Sequence, residues 1–287
     1  MKGHVLITGG TGFIGSHLIR VVSAAGYSVS SVSRGFVHAG NFSALDLTNS
    51  SQVNEFVQRS KPFDAVIHCA AIAHGEKPPN NSTVSDFNSL IVQNLINAFG
   101  ATQPHWIFLS SISVYGEWYL GSRVPIEFFP VATEDYGKGK LRDENSLSKI
   151  CEHLDIVRLT PTYDFEHMKD IKKRVFIPKT GIKLKILPSP AYSFCEIKVV
   201  CDTVLRCLHD SPDRRLHQIG DKSSISQYDL VKRFPGASII VPQLFFTLAL
   251  ILLPSRISWL RNIRLMLKKL GLTNTFELDV RQLGKIK

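Results

Sequence analysis

Short apolar runs alternate with segments of helical apolar spacing over the first 160 residues of the chain. The apolar runs predict strands at Val5–Thr8, Tyr27–Ser33, Ala65–His68 and Trp106–Ser110. The segments between them predict helices at Ser16–Ala25, Ser51–Arg59 and Val84–Phe99. Because strands that alternate with helices are typical of β-α-β units, we expect an α/β fold built on a doubly wound parallel sheet.

The pattern changes after Pro161, where basic segments interrupted by proline replace the alternation. A chain of 287 residues is long enough for one large domain with a smaller lobe attached. We therefore expect the sheet domain at residues 1–160 and a smaller C-terminal α/β lobe at residues 161–287. The boundary is not sharp, since the chain often returns to the sheet in folds of this kind.

An apolar segment, Ile239–Leu253, lies in the expected second lobe. Pro242 interrupts it, and the remaining run, Leu244–Leu253, is shorter than the ~20 residues that a membrane-spanning helix needs. Ser255–Leu270 follows as a predicted basic amphipathic helix. Its predicted apolar face consists of Ile257, Leu260, Ile263, Leu267 and Leu270, and its basic residues are Arg256, Arg261, Arg264, Lys268 and Lys269. The favoured interpretation is that both segments pack on the second lobe or on the partner of a homodimer, and the alternative is peripheral attachment to an anionic membrane.

The formal net charge of +10 suits an anionic partner. The basic residues concentrate at 169–185 and 256–269, whereas the first half of the chain is nearly neutral. They are not accompanied by the aromatic-interleaved basic motif of an RNA- or DNA-binding module, so we expect no nucleic-acid partner.

The five cysteines form an odd set without a Cys-x-x-Cys pair. Neither a disulfide framework nor a metal site is therefore expected. The first apolar run, Val5–Ile7, is too short for a secretory signal. These features predict a protein of the reducing cytoplasm.

A glycine-rich loop, Thr8–Gly15, joins the first predicted strand to the first predicted helix. Glycines at such a turn let backbone N–H groups approach a pyrophosphate, and the N-terminus of the helix attracts its negative charge. The loop therefore predicts a dinucleotide-binding site of the Rossmann type. The site is expected to include Gly9, Gly12, Phe13, Ile14 and Gly15.

The residue at the end of the second strand discriminates between NAD and NADP, because a carboxylate there accepts a hydrogen bond from the ribose 2′-hydroxyl. This chain has Ser33 followed by Arg34, and an arginine can pair with a 2′-phosphate. We therefore expect NADP, with NAD as the alternative. Asp46 and Leu47 follow the next short strand and are expected at the adenine, with helix capping as the alternative role of Asp46.

Tyr136 and Lys140 are four residues apart in a predicted helix, so both project from one face. A nearby ammonium favours the phenolate, so we expect Lys140 to lower the pKa of Tyr136 and to make it a proton-transfer group. The hydroxyls of Ser110, Ser111 and Ser113 follow a predicted strand at the sheet edge where such folds bind ligands. These hydroxyls are expected to hydrogen-bond a substrate oxygen beside Tyr136.

Four motifs together resemble the extended short-chain dehydrogenase/reductase family, also described as the NAD-dependent epimerase/dehydratase family. They are the Gly-x-x-Gly-x-x-Gly loop, His68-Cys69-Ala70-Ala71, the Ser-Ser-x-Ser-Val-Tyr-Gly segment ending at Gly116, and Tyr136-x-x-x-Lys140. The resemblance spans about residues 4 to 165. It implies a Rossmann fold with a substrate-binding C-terminal lobe.

The resemblance also implies roles for individual residues. Ser111 would be the catalytic serine, Tyr136 the acid/base, and Lys140 the lysine that also holds the cofactor, with Ala70 and Ala71 beside the cofactor. Ser113 would be a second hydroxyl at the substrate. Asn88 matches an asparagine on the family's fourth helix that supports the active site, and its alternative is a solvent-facing helix position. His68 is expected to be a core histidine without a chemical role.

Many members of this family act on C4 of nucleotide-linked sugars, so the resemblance implies a nucleotide-sugar substrate. Ile112 and Ser113 replace the acidic pair of the family's 4,6-dehydratases, which argues against dehydration. Reduction of a 4-keto sugar by NADPH is favoured because of the expected NADP preference and the short second lobe. The alternatives are C4 epimerisation, reduction of a non-sugar ketone, and a non-catalytic NADP-binding module.

Basic residues after the predicted boundary are candidates for binding the substrate diphosphate. They are Lys172, Lys173, Arg174 and Lys179. The alternative is ordinary solvent-exposed charge.

Overall fold

The computed structural model describes residues 2–35, 42–72, 78–79, 81–100, 104–116, 123–210, 213–253 and 258–283. An eight-stranded sheet occupies the centre of this part of the chain. Its strands are His4–Thr8 (β1), Ser28–Ser33 (β2), Phe42–Ala44 (β3), Ala65–His68 (β4), His105–Ser111 (β5), Leu154–Leu159 (β7), Arg214–Ile219 (β12) and Asp279–Gln282 (β16). Shorter strands outside it are Arg123–Val124 (β6), Thr162–Tyr163 (β8), Lys183–Leu187 (β9), Ala191–Tyr192 (β10), Cys195–Glu196 (β11), Ile225–Ser226 (β13), Ser238–Pro242 (β14) and Thr275–Phe276 (β15).

The helices lie between these strands along the chain. They are Phe13–Ala24 (α1), Ser50–Arg59 (α2), Val84–Phe99 (α3), Asp135–Ile150 (α4), Lys169–Lys172 (α5), Ile197–His209 (α6), Gln227–Lys232 (α7), Gln243–Leu252 (α8) and Ser258–Gly271 (α9). A 3₁₀ turn at Ile112–Tyr115 follows β5. All strands and helices predicted from the first 110 residues are present, with bounds that shift by at most three residues.

The strand order is β16-β12-β7-β5-β4-β1-β2-β3, and β16 alone runs antiparallel to its neighbour. Successive side chains of β1 enter opposite layers, since Leu6 packs in one hydrophobic cluster and Val5 and Ile7 pack in another. Helices α2, α3 and α4 contribute to the first cluster, and α1 and α6 contribute to the second. The predicted doubly wound Rossmann sheet is therefore confirmed.

The C-terminal part of the chain both extends this sheet and builds smaller units beside it. Strands β12 and β16 join the main sheet, whereas β9 pairs with β14 and β10 pairs with β13. The division into residues 1–160 and 161–287 stays a prediction, and the return of β12 to the sheet matches the expected soft boundary.

The apolar segment near the C-terminus divides into two elements. Residues 238–242 form β14, and α8 begins directly after Pro242. Phe246 on α8 packs with Leu267 and Leu270 of α9, although Leu244, Leu248 and other α8 side chains remain exposed. Among the described helices, none is both long and apolar enough to cross a membrane.

Two of the basic residues assigned to the amphipathic helix contact the protein itself. Arg264 donates hydrogen bonds to the carbonyl groups of Leu250 and Leu253, at the C-terminal end of α8. Lys269 pairs with Glu134 at 2.7 Å. Ile257 and Arg256 lie outside the described residues. Membrane attachment stays a prediction, and the ion pair with Glu134 offsets one of the charges, that of Lys269.

A buried polar cluster connects three strands of the sheet at Asp155 on β7. The carboxylate is hydrogen-bonded to His105 Nε2 of β5 at 2.7 Å and to His217 Nε2 of β12 at 2.6 Å. Arg215 donates to both carboxylate oxygens, at 2.9 and 3.2 Å. Although burial opposes ionisation, these hydrogen bonds hold the pKa of Asp155 below its usual range. The thiol of Cys207 lies beside His217, but the guanidinium at the carboxylate indicates a hydrogen-bonded cluster rather than a metal site.

Candidate functional site

The glycine loop folds tightly against the end of β4. Gly9 has φ +73°, and a Cβ on it would lie 2.8 Å from the backbone nitrogen of Ala70. A Cβ on Gly15 would lie 2.3 Å from the carbonyl oxygen of Gly9. Thr8 Oγ1 accepts hydrogen bonds from the backbone N–H groups of Cys69 and Ala70 at 3.2 and 3.1 Å. Packing within the chain therefore requires glycine at positions 9 and 15.

The N-terminus of α1 has the features of an anion site. Its cap residue is the exposed Gly12, which offers no side-chain hydrogen bond, and its first turn contains no acidic residue. The first amides of a helix have no partner within the helix, and together with the helix dipole they bind phosphate. This cradle, with Phe13 and Ile14 in the first turn, fits the pyrophosphate of a dinucleotide.

The end of β2 lies beside this loop, because Thr11 Oγ1 donates a hydrogen bond to Ser33 Oγ at 3.1 Å. Arg34 follows as an exposed residue with its guanidinium 5.6 Å from the ring centre of Phe87. The end of β2 therefore has a cation and no carboxylate. In a Rossmann site, the residue at this position distinguishes NAD from NADP. Its contact with a 2′-phosphate stays a prediction.

The segment after β3 differs in part from expectation. Asp46 is exposed, and its Oδ1 accepts from the N–H and the hydroxyl of Thr48 at 2.9 and 2.7 Å. Asn49 caps α2 by accepting from the N–H of Gln52, so the alternative helix-capping role of Asp46 is wrong. Leu47 is 4% exposed and its carbonyl accepts from Asn94 Nδ2 at 2.9 Å, so its contact with a cofactor stays a prediction.

The loop after β4 is fastened by Asn88 on α3. Its side chain accepts from the N–H of Ile72 at 2.8 Å and donates to the carbonyl of Ile72 at 3.1 Å. Asn88 is 3% exposed, so its alternative as a solvent-facing helix residue is wrong. These bonds fix the chain just beyond the exposed Ala71. Here the asparagine lies on the third helix of the described chain rather than the fourth.

Tyr136 and Lys140 lie on one face of α4, as the spacing predicts. The ammonium of Lys140 is 6.0 Å from the ring centre of Tyr136 and 4.6 Å from that of Phe108, and it donates to the carbonyl of Leu109 at 2.8 Å. Lys140 is 3% exposed, and burial lowers its pKa. The candidate pair therefore lies against the end of β5, with Lys140 buried and Tyr136 half-buried.

Two glycines between Tyr136 and Lys140 allow α4 to approach its neighbours. A Cβ on Gly137 would lie 2.3 Å from the carbonyl oxygen of Ser113, and one on Gly139 would lie 2.9 Å from the Cα of Ser85. The sequence Tyr-Gly-Lys-Gly-Lys contains this signal. Close contact with the 3₁₀ turn brings the first turn of α4 to the serine segment.

The expected lowering of the Tyr136 pKa is wrong. Burial raises the pKa of Tyr136 to about 12, and the negative charge of Asp143 acts in the same direction. The sequence indicated the nearby ammonium but not the removal of the phenolate from water. It also did not indicate that a carboxylate on the same helix would add to the effect of burial.

The three candidate serines have different surroundings. Ser111 and Ser113 are half-buried, and Ser111 Oγ donates to Ser113 Oγ and accepts from the N–H of Ser113, each at 3.2 Å. Ser110 is buried and donates to Glu144 Oε1 at 2.5 Å, so its expected availability for a substrate is wrong. The two remaining hydroxyls keep their predicted roles as proposals.

The acceptor of Ser110 belongs to a buried network that sequence reasoning missed. Arg158 on β7 donates to both oxygens of Glu144, at 3.0 and 2.7 Å, and to Tyr115 Oη at 2.8 Å. Tyr115 in turn donates to Gln218 Oε1 of β12 at 2.6 Å. This network fixes α4 to β5, β7 and β12. Only the tertiary structure identifies it, since its members are far apart along the chain.

The candidate diphosphate lysines line a common cavity of about 540 Å³. Lys172, Lys173 and Lys179 contribute to its wall, and Lys173 is also paired with Asp170 at 2.7 Å. Arg174 is turned away, with its guanidinium 5.3 Å from the ring centre of Tyr192. The prediction that Arg174 binds the diphosphate is wrong, because its side chain packs in the interior.

The cavity borders the dinucleotide cradle. His167 lines the cavity, and its ring stacks on Phe13 of α1 with centres 4.2 Å apart. Asp164 supports this contact by accepting from the N–H of His167 at 2.6 Å. A ligand in the cavity would therefore lie next to the first turn of α1.

The NAD dependent epimerase/dehydratase family matches residues 5–163, which is more than half of the chain. The chain belongs to this family. The match covers the dinucleotide cradle, the serine segment and the Tyr136–Lys140 pair. An enzyme family of the Rossmann type is thus established, and the resemblance noted from the motifs is confirmed.

Several relatives of this family member are 4-epimerases. UDP-glucose 4-epimerase of Vibrio cholerae is 23% identical over 245 residues, which cover 81% of this chain and 75% of that protein. UDP-glucose 4-epimerase of Dictyostelium discoideum is 30% identical over 170 residues, 51% of this chain and 47% of that protein. The chain therefore matches from about half to three quarters of the length of these relatives.

A solved structure extends the likeness to the fold. UDP-glucuronic acid 4-epimerase from Bacillus cereus, in complex with NAD, aligns with a TM-score of 0.66 and 19% identity, covering 83% of this chain and 87% of that chain. These relatives favour the epimerase alternative over the 4-keto sugar reductase that the sequence favoured. They also support NAD dependence at the level of the family, without a specific indication of NADP.

Proposed function

We propose that this family member is an NAD-dependent epimerase that inverts C4 of a nucleotide-linked sugar. The observation that carries the proposal is the pair on α4, where Tyr136 and Lys140 share one face at the end of β5. The names of the relatives supply the reaction and the substrate class.

Each catalytic residue has a distinct task in this proposal. NAD held at the α1 cradle by Gly9, Gly12 and Gly15 would supply the redox chemistry, a reversible hydride transfer that inverts C4. The phenolate of Tyr136, a minor form at neutral pH because burial raises the pKa to about 12, removes the proton of the C4 hydroxyl in the first half of the reaction and returns it in the second. Ser111 and Ser113 hold the C4 oxygen, and Lys140 balances the negative charge of the Tyr136 phenolate.

The lysine-lined cavity supports a substrate with a diphosphate. Lys172, Lys173 and Lys179 bring three cations to one wall, and their neighbour His167 contacts the α1 cradle through Phe13. A substrate that reaches from this cavity toward α4 would place an anionic group at the lysines and its sugar at Tyr136.

The experiment is to incubate the full chain with a panel of nucleotide hexoses and catalytic NAD, and to follow C4 inversion by NMR. Inversion without net cofactor consumption supports the proposal, and its absence across the panel contradicts it. Lys172→Ala is expected to raise KM for the nucleotide sugar about tenfold, with kcat little changed. Lys149→Ala, an exposed lysine of α4 outside the cavity, is the matched control and should leave KM unchanged.

Reduction of a nucleotide 4-keto sugar by NADPH is the second candidate. Arg34 favours it, because an exposed arginine at the end of β2 provides a partner for a 2′-phosphate. Stoichiometric oxidation of NADPH by 4-keto sugars would select this reaction. Arg34→Ala should then weaken the binding of NADPH about tenfold or more and leave the binding of NADH unchanged.

A further inference from the structure

A second acid lies on the face of α4 that carries Tyr136 and Lys140. Asp143 follows Lys140 by three residues and is 2% exposed. Its Oδ1 accepts from Ser89 Oγ of α3 at 2.5 Å, whereas its Oδ2 is buried without a hydrogen-bond partner in the described part of the chain. Buried carboxylates are normally fully hydrogen-bonded, so this half-satisfied carboxylate requires a physical reason.

The charged groups around Asp143 are engaged elsewhere. Lys140 directs its ammonium to the carbonyl of Leu109. Arg142, on the solvent side, donates to Ser89 Oγ at 2.9 Å and pairs with Asp86 of α3 at 3.1 Å. Glu144, the next residue on α4, is paired with Arg158 of β7 at 2.7 Å. On the β4 side, burial and Lys140 hold the pKa of His68 at about 3, so this ring is neutral.

The charge of Asp143 therefore acts on the proposed catalytic pair as well as on its neighbours Arg142 and Glu144. Burial lowers the pKa of Lys140, and the charge of Asp143 opposes this effect. Burial raises the pKa of Tyr136, and the charge of Asp143 adds to this effect. An ionised Asp143 thus favours a charged Lys140 and a protonated Tyr136.

We propose that Asp143 is a positioning residue whose carboxylate, acting through Lys140 and Tyr136, sets the pH range in which Tyr136 exchanges a proton with the substrate. The inference rests on the acid/base role of Tyr136 in the proposed function. Burial raises the pKa of Asp143 itself to about 6, against the hydrogen bond from Ser89 and the charge of Lys140. Its charge is therefore lost as the pH falls through this value.

The pH profile of kcat/KM for Asp143→Asn tests this role. Removing the negative charge lowers the pKa of both Tyr136 and Lys140. The acidic and alkaline limbs of the kcat/KM profile should therefore both shift to lower pH by about one unit. On the sloping limbs, one unit corresponds to about a tenfold change in rate. Below about pH 6 the two profiles should converge, because the wild-type carboxyl is then protonated as well. A uniform loss of activity with unmoved limbs would refute the proposal.

A titration without substrate separates this inference from the proposed function. Tyrosinate absorbance near 295 nm is followed from pH 9 to about 12.5 in wild type and Asp143→Asn, each minus its Tyr136→Phe partner. Earlier ionisation of Tyr136 in Asp143→Asn, by about one unit, supports the inference even if no nucleotide sugar is epimerised. Coincident titrations would overturn it even if epimerisation is found.

Two further variants guard against a failure to fold and against a general charge effect. Ser89→Ala removes the hydrogen bond to Asp143 Oδ1, which should raise the pKa of Asp143 and move the convergence point of the profiles above pH 6. Asp86→Asn removes a nearby carboxylate that is solvent-exposed, with 60% of its side chain accessible, and both limbs should stay in place. An unmoved profile for Ser89→Ala contradicts the inference.

Discussion

Asp155 and Asp143 are both buried carboxylates, but their surroundings are opposite. Asp155 is hydrogen-bonded to two histidines and an arginine, which hold its pKa below the usual range despite burial. Asp143 has one hydrogen bond, from Ser89, and burial raises its pKa to about 6. The first carboxylate joins three strands far from the proposed chemistry, and the second lies on the helix that carries Tyr136.

The difference shows how a buried charge serves stability or chemistry. A fully hydrogen-bonded carboxylate keeps its charge at every physiological pH and fixes the strands around it. A half-satisfied one changes its charge near neutral pH, at a cost in folding free energy, and so can influence neighbouring ionisable groups. The following predictions test this contrast, from the largest expected effect to the smallest.

Tyr136→Phe should lower turnover at least a thousandfold, because it removes the only proposed proton-transfer group. Cofactor affinity and the folding free energy should change little, since the ring and its burial are kept. Steady-state kinetics, NAD titration and denaturant unfolding measure the three quantities. Near-normal turnover would show that Tyr136 is not the proton-transfer group. The buried charges of α4 would then have only a structural role, as those around Asp155 have.

Asp155→Asn should destabilise the protein by about 3 kcal/mol at pH 7.5, because it leaves Arg215 and the two histidines without their anionic partner. Asp143→Asn is the matched substitution and should be neutral or stabilising at this pH, since it removes a charge that is buried without an ion-pair partner. Urea unfolding compares them. Equal destabilisation by both would contradict the contrast.

The stability difference between Asp143→Asn and wild type should depend on pH. The folded pKa of Asp143, about 6, lies above its ordinary value of 3.8, so its favourable contribution is complete below about pH 4 and is lost as the pH rises through 6. The asparagine variant lacks this loss. Between pH 4 and 7.5 its free energy of unfolding should therefore increase by about 2–3 kcal/mol relative to that of wild type. A constant difference across this range would place the pKa of Asp143 at its ordinary value.

Ser89→Ala should have the smallest effect on stability, about 1 kcal/mol, because it removes the hydrogen bond to the Asp143 carboxylate and the one from the solvent-exposed Arg142. Its destabilisation should be largest above pH 6, where the carboxylate is ionised. Unfolding at pH 5 and pH 8 measures the difference. The same loss at both values would show that the bond does not depend on the charge of Asp143.

Much of the fold and part of the site could be predicted from local sequence patterns. The apolar periodicity predicted β1, β2, β4 and β5 and helices α1 to α3, because side chains alternate across a strand and repeat along a helix face. The spacing of Tyr136 and Lys140 could be predicted from the same helical repeat. The glycine loop could be predicted because only glycine allows its backbone conformation.

The errors concern contacts between distant segments. Ser110 was predicted to be available to a substrate, but Glu144, 34 residues away, accepts its hydroxyl. Arg174 was grouped with the cavity lysines, but Tyr192 and Phe194 receive its guanidinium. Spacing along the chain contains no information about such partners.

The sequence by itself determined that strands alternate with helices, that glycines line the cradle at α1, and that Tyr136 and Lys140 share a face. These properties follow from backbone geometry and from residues within a few positions of one another. Only the tertiary structure decided the charge states on that face, where burial and Asp143 raise the pKa of Tyr136 to about 12. An ionisation equilibrium depends on the loss of water and on charges from every packed element, and folding brings these together.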